Sequence, residues 1–111
     1  MTHVEIELLV VPECPNEDAA GELIRTALAD LSMTNATVRT TVIDTDEEAN
    51  RRGFTGSPTF LIDGRDPFAS GDASPGIACR VYPTVEGLRG VPDVPDLRRA
   101  LKIAADPRRS N

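Results

Sequence analysis

Cys14 stands in the stretch "VVPECPNEDAAGELIRTAL", where an apolar run gives way to Pro12 and Glu13, and Pro15 then opens a segment patterned as a helix. A sulfur at the junction of a strand and a helix lies near amide N–H groups that have no partner within the helix, and such groups stabilise a thiolate. That is the setting of a nucleophile or a metal ligand. Glu13, Glu17 and Asp18 oppose it, because each nearby carboxylate disfavours a second negative charge. The helix end contributes about 0.3 to 1 kcal/mol, whereas one carboxylate at about 5 Å across a surface-like dielectric opposes it by about 3 kcal/mol before screening. The second cysteine, Cys79, lies far downstream in "IACRVY", a stretch that also reads as a buried strand in which a cysteine is simply a small hydrophobe. His3 is the only histidine and precedes the first strand, so neither a histidine-assisted nucleophile nor a histidine-rich zinc site has support. The glycines near 64, 71 and 76 follow a strand but open no helix, which is not the pattern of a phosphate-cradling loop.

The elements that must hold these residues are legible from periodicity. Residues 4–11 alternate and then saturate with apolar side chains, which predicts a central strand covered on both sides. Residues 15–32 carry Ala20, Leu23, Ile24, Ala27, Leu28 and Leu31 at helical spacing, with acids in the first turn. Residues 37–43 are rich in β-branched side chains and predict a second strand. A helix over 45–52 opens with a capping box, Thr45 to the Glu48 amide and Glu48 reaching back, and stops at Gly53. A strand over 59–62 follows Pro58 and ends at Asp63 and Gly64. Residues 65–76 form a loop longer than a hairpin requires. The alternation in 77–82 predicts a fourth strand beside 59–62, with Ile77, Cys79 and Val81 on one side and Ala78, Arg80 and Tyr82 on the other. Arg80 and Tyr82 then either reach the site or face solvent. A final helix over 96–105 is striped by Leu97, Ala100, Leu101 and Ala104. The expected organisation is one domain over 1–105 and a frayed tail over 106–111.

Composition narrows the partners. The formal charge is -6 and the basic residues are scattered, which excludes the clustered basic surface that nucleic acid requires. No apolar run approaches the roughly 20 residues that a membrane span needs. Two cysteines and no secretory pattern point to a reducing, cytoplasmic location.

With strand, "CPNE" at a helix start and "GSPTFLIDG" in place, the chain resembles the thioredoxin superfamily. The resemblance implies an α/β, thioredoxin-like fold of order β-α-β-α-β-β-α, with a four-stranded mixed sheet flanked by helices. It also implies that Ser57 and Pro58 form a cis-proline turn facing the Cys14 thiol, with Pro15, Asn16, Ser57, Pro58 and Tyr82 as substrate-binding residues. The chain departs from the dithiol members, since Glu17 stands where their second cysteine would resolve a mixed disulfide. Cys79 is the candidate resolving thiol, because the fourth strand neighbours the proline-bearing strand in that arrangement. A Cys14–Cys79 bond would stabilise the fold by roughly 4 kcal/mol in the entropic model, provided the α-carbons lie within about 7 Å.

A shorter resemblance, "CPNED" with the distant "ACRVY", is to organomercurial (alkylmercury) lyases. It implies Cys14 and Cys79 as soft-metal thiolates binding mercury, and Glu17 as the acid that protonates the leaving carbon. Without that resemblance Glu17 is a favourable first-turn acid. Three readings therefore stand. The first is a redox thiol protein in which Cys14, Cys79 and Glu17 form the catalytic group, with a thiol substrate or external reductant and no cofactor. The second is mercury chemistry, and the third is a non-catalytic module that takes a protein or peptide at the groove beside Pro58.

Overall fold

Alternation in "VEIELLV" produces strand β1, Val4–Val10, with Val4, Ile6, Leu8 and Val10 buried on one face. A computed structural model describes residues 3–69 and 74–106 of the chain. Helix α1, Glu17–Asp30, buries Ala20, Leu23, Ile24 and Ala27. Strand β2, Ala36–Val42, runs parallel to β1, with Ile6 opposite Val38. Helix α2 spans Asp46–Arg52, and strand β3, Thr59–Ile62, returns antiparallel on the other side of β1, with Leu8 opposite Phe60. The sheet order is β2-β1-β3. Strands β4, Tyr82–Thr84, and β5, Gly87–Arg89, form a separate two-stranded ribbon, and helix α3, Val94–Ala105, completes the fold.

The α/β class and the mixed sheet agree with the sequence reading, whereas the expected four-stranded sheet does not. The described sheet has three strands, and the stretch 77–82 contributes only an isolated bridge, Cys79 to Ser57, before β4 begins at Tyr82. The alternation there records inside and outside without a ladder. Helix α3 starts at Val94, two residues before the expected position, because Asp93 takes the N-cap and Pro95 suits the first turn. Of the expected loop over 65–76, residues 70–73 lie outside the described residues, as does all of the expected frayed tail except Asp106.

Helices α1 and α3 cover the same face of the sheet, and Leu97, Leu101, Phe60 and Tyr82 join the β1 residues in the major core. An Arg98 to Asp30 ion pair of 2.8 Å ties α3 to α1 at its rim. The opposite face holds a smaller cluster of Leu9, Ile43, Ala49 and Phe54. Covering on that side extends only along the Leu9 end of β1, because Glu5 and Glu7 occupy the same face further back. Helix α2 is fixed by its sequence as expected: the Glu48 amide donates to Thr45 Oγ1 at 3.1 Å, and Gly53 ends it with φ 64°. The return contact of the capping box is replaced, since Glu48 directs its carboxylate to Arg51. Among the described residues no helix is long and apolar enough to cross a membrane.

Candidate functional site

The chain leaves β1 at Val10 and turns through Pro12 and Glu13, whose φ of 58° is the left-handed conformation that lets Cys14 double back toward the sheet. Asn16 takes the N-cap position of α1 without a side-chain hydrogen bond, so Cys14 lies two residues before the cap and three before the first helical residue. The Cys14 carbonyl accepts from the Glu17 amide at 3.3 Å, and the Asn16 carbonyl accepts from Ala20 at 2.9 Å. Cys14 is half-buried against the major core, while Pro15 is exposed. The Asn16 side chain lies over Gly90, where an added Cβ would fall 2.4 Å from Asn16 Nδ2. The segment after β5 therefore closes over the "CPN" turn, and any side chain at 90 would displace Asn16.

The donor at the Cys14 sulfur comes from across the sheet. Ser57 Oγ donates to Cys14 Sγ at 3.0 Å, while the same oxygen accepts from the Val11 amide at 3.0 Å. The Val11 contact uses an oxygen lone pair, which leaves the hydroxyl proton for the sulfur. The Ser57–Pro58 peptide bond is cis, and both residues are buried. This differs from the expectation of helix amides around the thiol: a hydroxyl at the entry to β3 supplies the hydrogen bond.

Cys79 reaches the same serine through the main chain. The Ser57 amide donates to the Ala78 carbonyl at 2.8 Å, and the Arg80 amide donates to the Ser57 carbonyl at 3.0 Å, making Cys79 the parallel bridge partner of Ser57. Bridge partners lie opposite one another, so the Cys79 main chain runs alongside that of Ser57. Both cysteines are free, and Cys79 is exposed, in contrast to the reading of it as a buried hydrophobe. The expected alternation holds only from Cys79 to Tyr82: Cys79 and Val81 are exposed, Arg80 is half-buried and Tyr82 is buried, whereas Ala78 is exposed together with Ile77.

Behind this turn Arg80 and Tyr82, both named from the sequence, are joined by Asp66 and Phe68, which sequence reasoning missed. Arg80 pairs with Asp66 at 2.6 Å, donates to the Phe68 carbonyl at 2.6 Å and to Thr59 Oγ1 at 3.3 Å, and stacks its guanidinium 4.7 Å from the Tyr82 ring centre. The Tyr82 hydroxyl donates to the Pro58 carbonyl. Burial pushes the Tyr82 phenol well above its ordinary value; the Arg80 charge opposes and the Asp66 charge reinforces that shift, so the hydroxyl stays neutral and able to donate. Phe60, Phe68 and Tyr82 pack edge to face with ring centres 5.5 to 6.2 Å apart. Gly56 makes room for Arg80, since a Cβ at 56 would lie 2.8 Å from Arg80 Cβ, and its φ of 144° suits only glycine. The available signal was the alternation that set Arg80 beside Tyr82 and opposite Cys79; Asp66 carried none, because its loop has no periodicity.

Glu17 is half-buried and is joined to Cys14 through the main chain. Among the described residues no group of three or more His, Cys, Asp and Glu side chains is placed to hold a metal ion. A hollow of about 760 Å³ lies between the end of α1 and α3 and is lined by Leu31, Met33, Pro95, Arg98 and Ile103 among others. It includes neither cysteine nor Ser57, so volume and sulfur chemistry point to different places; the converging donors mark the more specific site. Compared with protein-family models, curated proteins and solved structures, the chain has no match.

Proposed function

We propose that this chain is a thioredoxin-like thiol–disulfide oxidoreductase in which Cys14 attacks and Cys79 resolves. The Cys14 thiolate displaces one sulfur of a substrate disulfide, forming a mixed disulfide and releasing the first substrate thiolate, which takes up a proton. The Cys79 thiolate then attacks the Cys14 sulfur, forming the Cys14–Cys79 disulfide and releasing the second substrate thiol. An external dithiol reductant returns the pair to its reduced state and is itself oxidised. Ser57 serves both steps: its hydroxyl holds the Cys14 sulfur, and its main chain holds the segment that carries Cys79.

The observation that carries this reading is the double use of Ser57, with Cys14 Sγ 3.0 Å from its hydroxyl and Cys79 bridged to its backbone. The strand, cysteine turn and cis-proline order lends it further support. Mild oxidation of the purified chain with a glutathione redox buffer, followed by peptide mass spectrometry without reduction, tests it. The expected product is a monomer lighter by two hydrogens in which the peptides containing Cys14 and Cys79 are linked. Only glutathione adducts, or only dimers joined between chains, would sink the reading.

A further inference from the structure

An exposed thiol on a stretch with a single bridge needs something to keep it at its post, and the residue after Cys79 is the most heavily anchored side chain in its neighbourhood. Arg80 has a side chain only 10% exposed, and Asp66 meets it through both carboxylate oxygens, at 2.6 and 3.4 Å. Its second guanidinium nitrogen also holds the Phe68 carbonyl, and its stem packs against the bare Cα of Gly56. Two other stretches of chain, 56–59 and 66–68, and the Tyr82 ring two residues on therefore converge on the Arg80 side chain.

We infer that Arg80, clamped by Asp66, is a positioning residue for the second thiol: it fixes the main chain of 78–80 against Ser57 so that Cys79 is held beside Cys14. This rests on the redox reading above and adds to it the device that sets the rate and yield of ring closure. Arg80 touches neither sulfur in this role. A planar guanidinium suits the task because its fork engages both carboxylate oxygens and the Phe68 carbonyl at fixed angles, which the ammonium of lysine cannot reproduce. Proximity held in this way appears as the effective concentration of one thiol at another.

The test measures, in the full chain, the equilibrium between the Cys14–Cys79 disulfide and its glutathione mixed disulfide, by acid quenching across glutathione ratios. Arg80→Met keeps the stem and removes the fork. The double variant Asp66→Asn/Arg80→Met removes both charges and guards against misfolding caused by an unpaired carboxylate. Both should form the link with an effective concentration lowered about tenfold or more, while iodoacetamide modifies Cys14 in the reduced chain at the wild-type rate. Arg80→Lys should recover only part of the loss. A merely structural role would lower the urea midpoint and leave the closure equilibrium, measured well below that midpoint, unchanged. Closure within twofold of wild type in the folded double variant overturns the inference alone; failure of the wild-type chain to form the link overturns the redox reading and this inference with it.

Discussion

Two arginine–carboxylate clusters brace this fold, and they differ in what they join. On the minor-core face, Glu7 of β1 accepts from Thr41 of β2 at 2.6 Å and from Arg52 of α2 at 2.6 Å, with Arg39 at 3.5 Å. Every partner there belongs to regular secondary structure that backbone ladders and a capped helix already fix. Behind the sulfur site, Asp66 and Arg80 lie on irregular stretches, and their other supports are the Cys79–Ser57 bridge, the Phe68 main chain, Thr59 Oγ1 at the start of β3 and the Tyr82 ring. The lesson is that similar chemistry does different work: the first pair reinforces geometry that exists without it, and the second creates the geometry.

The sharpest way to break that contrast is to remove one guanidinium from each cluster. Arg80→Ala leaves Asp66 without its main partner and opens the space beside Gly56 and Tyr82, so urea unfolding should show a loss of about 3 to 5 kcal/mol. Arg52→Ala should lose about 1 kcal/mol or less, because that side chain is 29% exposed and Glu7 keeps Thr41. Equal losses would erase the distinction. Glu7→Gln sharpens it through pH. Burial pushes the Glu7 carboxyl up, but hydrogen bonds from Thr41 and Arg52, the charge of Arg52 and a contact with Arg39 outweigh burial and hold it below the usual carboxylate value. A group held low when folded stabilises above its unfolded value, near about 4.3, and loses that contribution as pH falls through its folded value. Glu7→Gln should therefore cost about 1 to 2 kcal/mol at pH 7, with the gap from wild type closing towards pH 3. A gap that persists at low pH counts against the charge as its cause.

Smaller effects test the scaffolding around each cluster. Thr45→Ala removes the acceptor for the Glu48 amide and should lower stability by about 1 kcal/mol, with fraying of α2 seen in amide exchange. Cys79→Ser should change stability by less than about 0.5 kcal/mol in reducing buffer, since the thiol is exposed, yet eliminate the intramolecular disulfide under oxidation. A large stability change there would mean that Cys79 serves packing.

Local signals explain what was legible in the sequence. Helix α1 is written in the stripe Ala20, Leu23, Ile24 and Ala27, and α2 in Thr45 and Gly53, because caps and periodicity act over a single turn. Strand β3 follows from Thr59–Ile62 and its flanking turn residues. The stretch 77–82 misled because alternation reports which side is buried, as Tyr82 and the exposed Val81 show, without reporting whether a ladder forms. At the site, Cys14, Ser57 and Pro58 could be named from their neighbours in sequence, whereas the Asp66–Arg80 pairing joins residues 14 apart across an irregular loop and has no local signature.

The main chain of Ser57 carries one last consequence. A polypeptide seeking to align itself with the proline turn as an additional strand would meet Ala78 and Arg80 already seated on the amide and carbonyl it needs. The protein is thus its own rival ligand at that edge, and an intruder must first dislodge two hydrogen bonds at about 1 kcal/mol each. On the proposed redox reading, a compact disulfide would avoid that cost and an extended peptide would not.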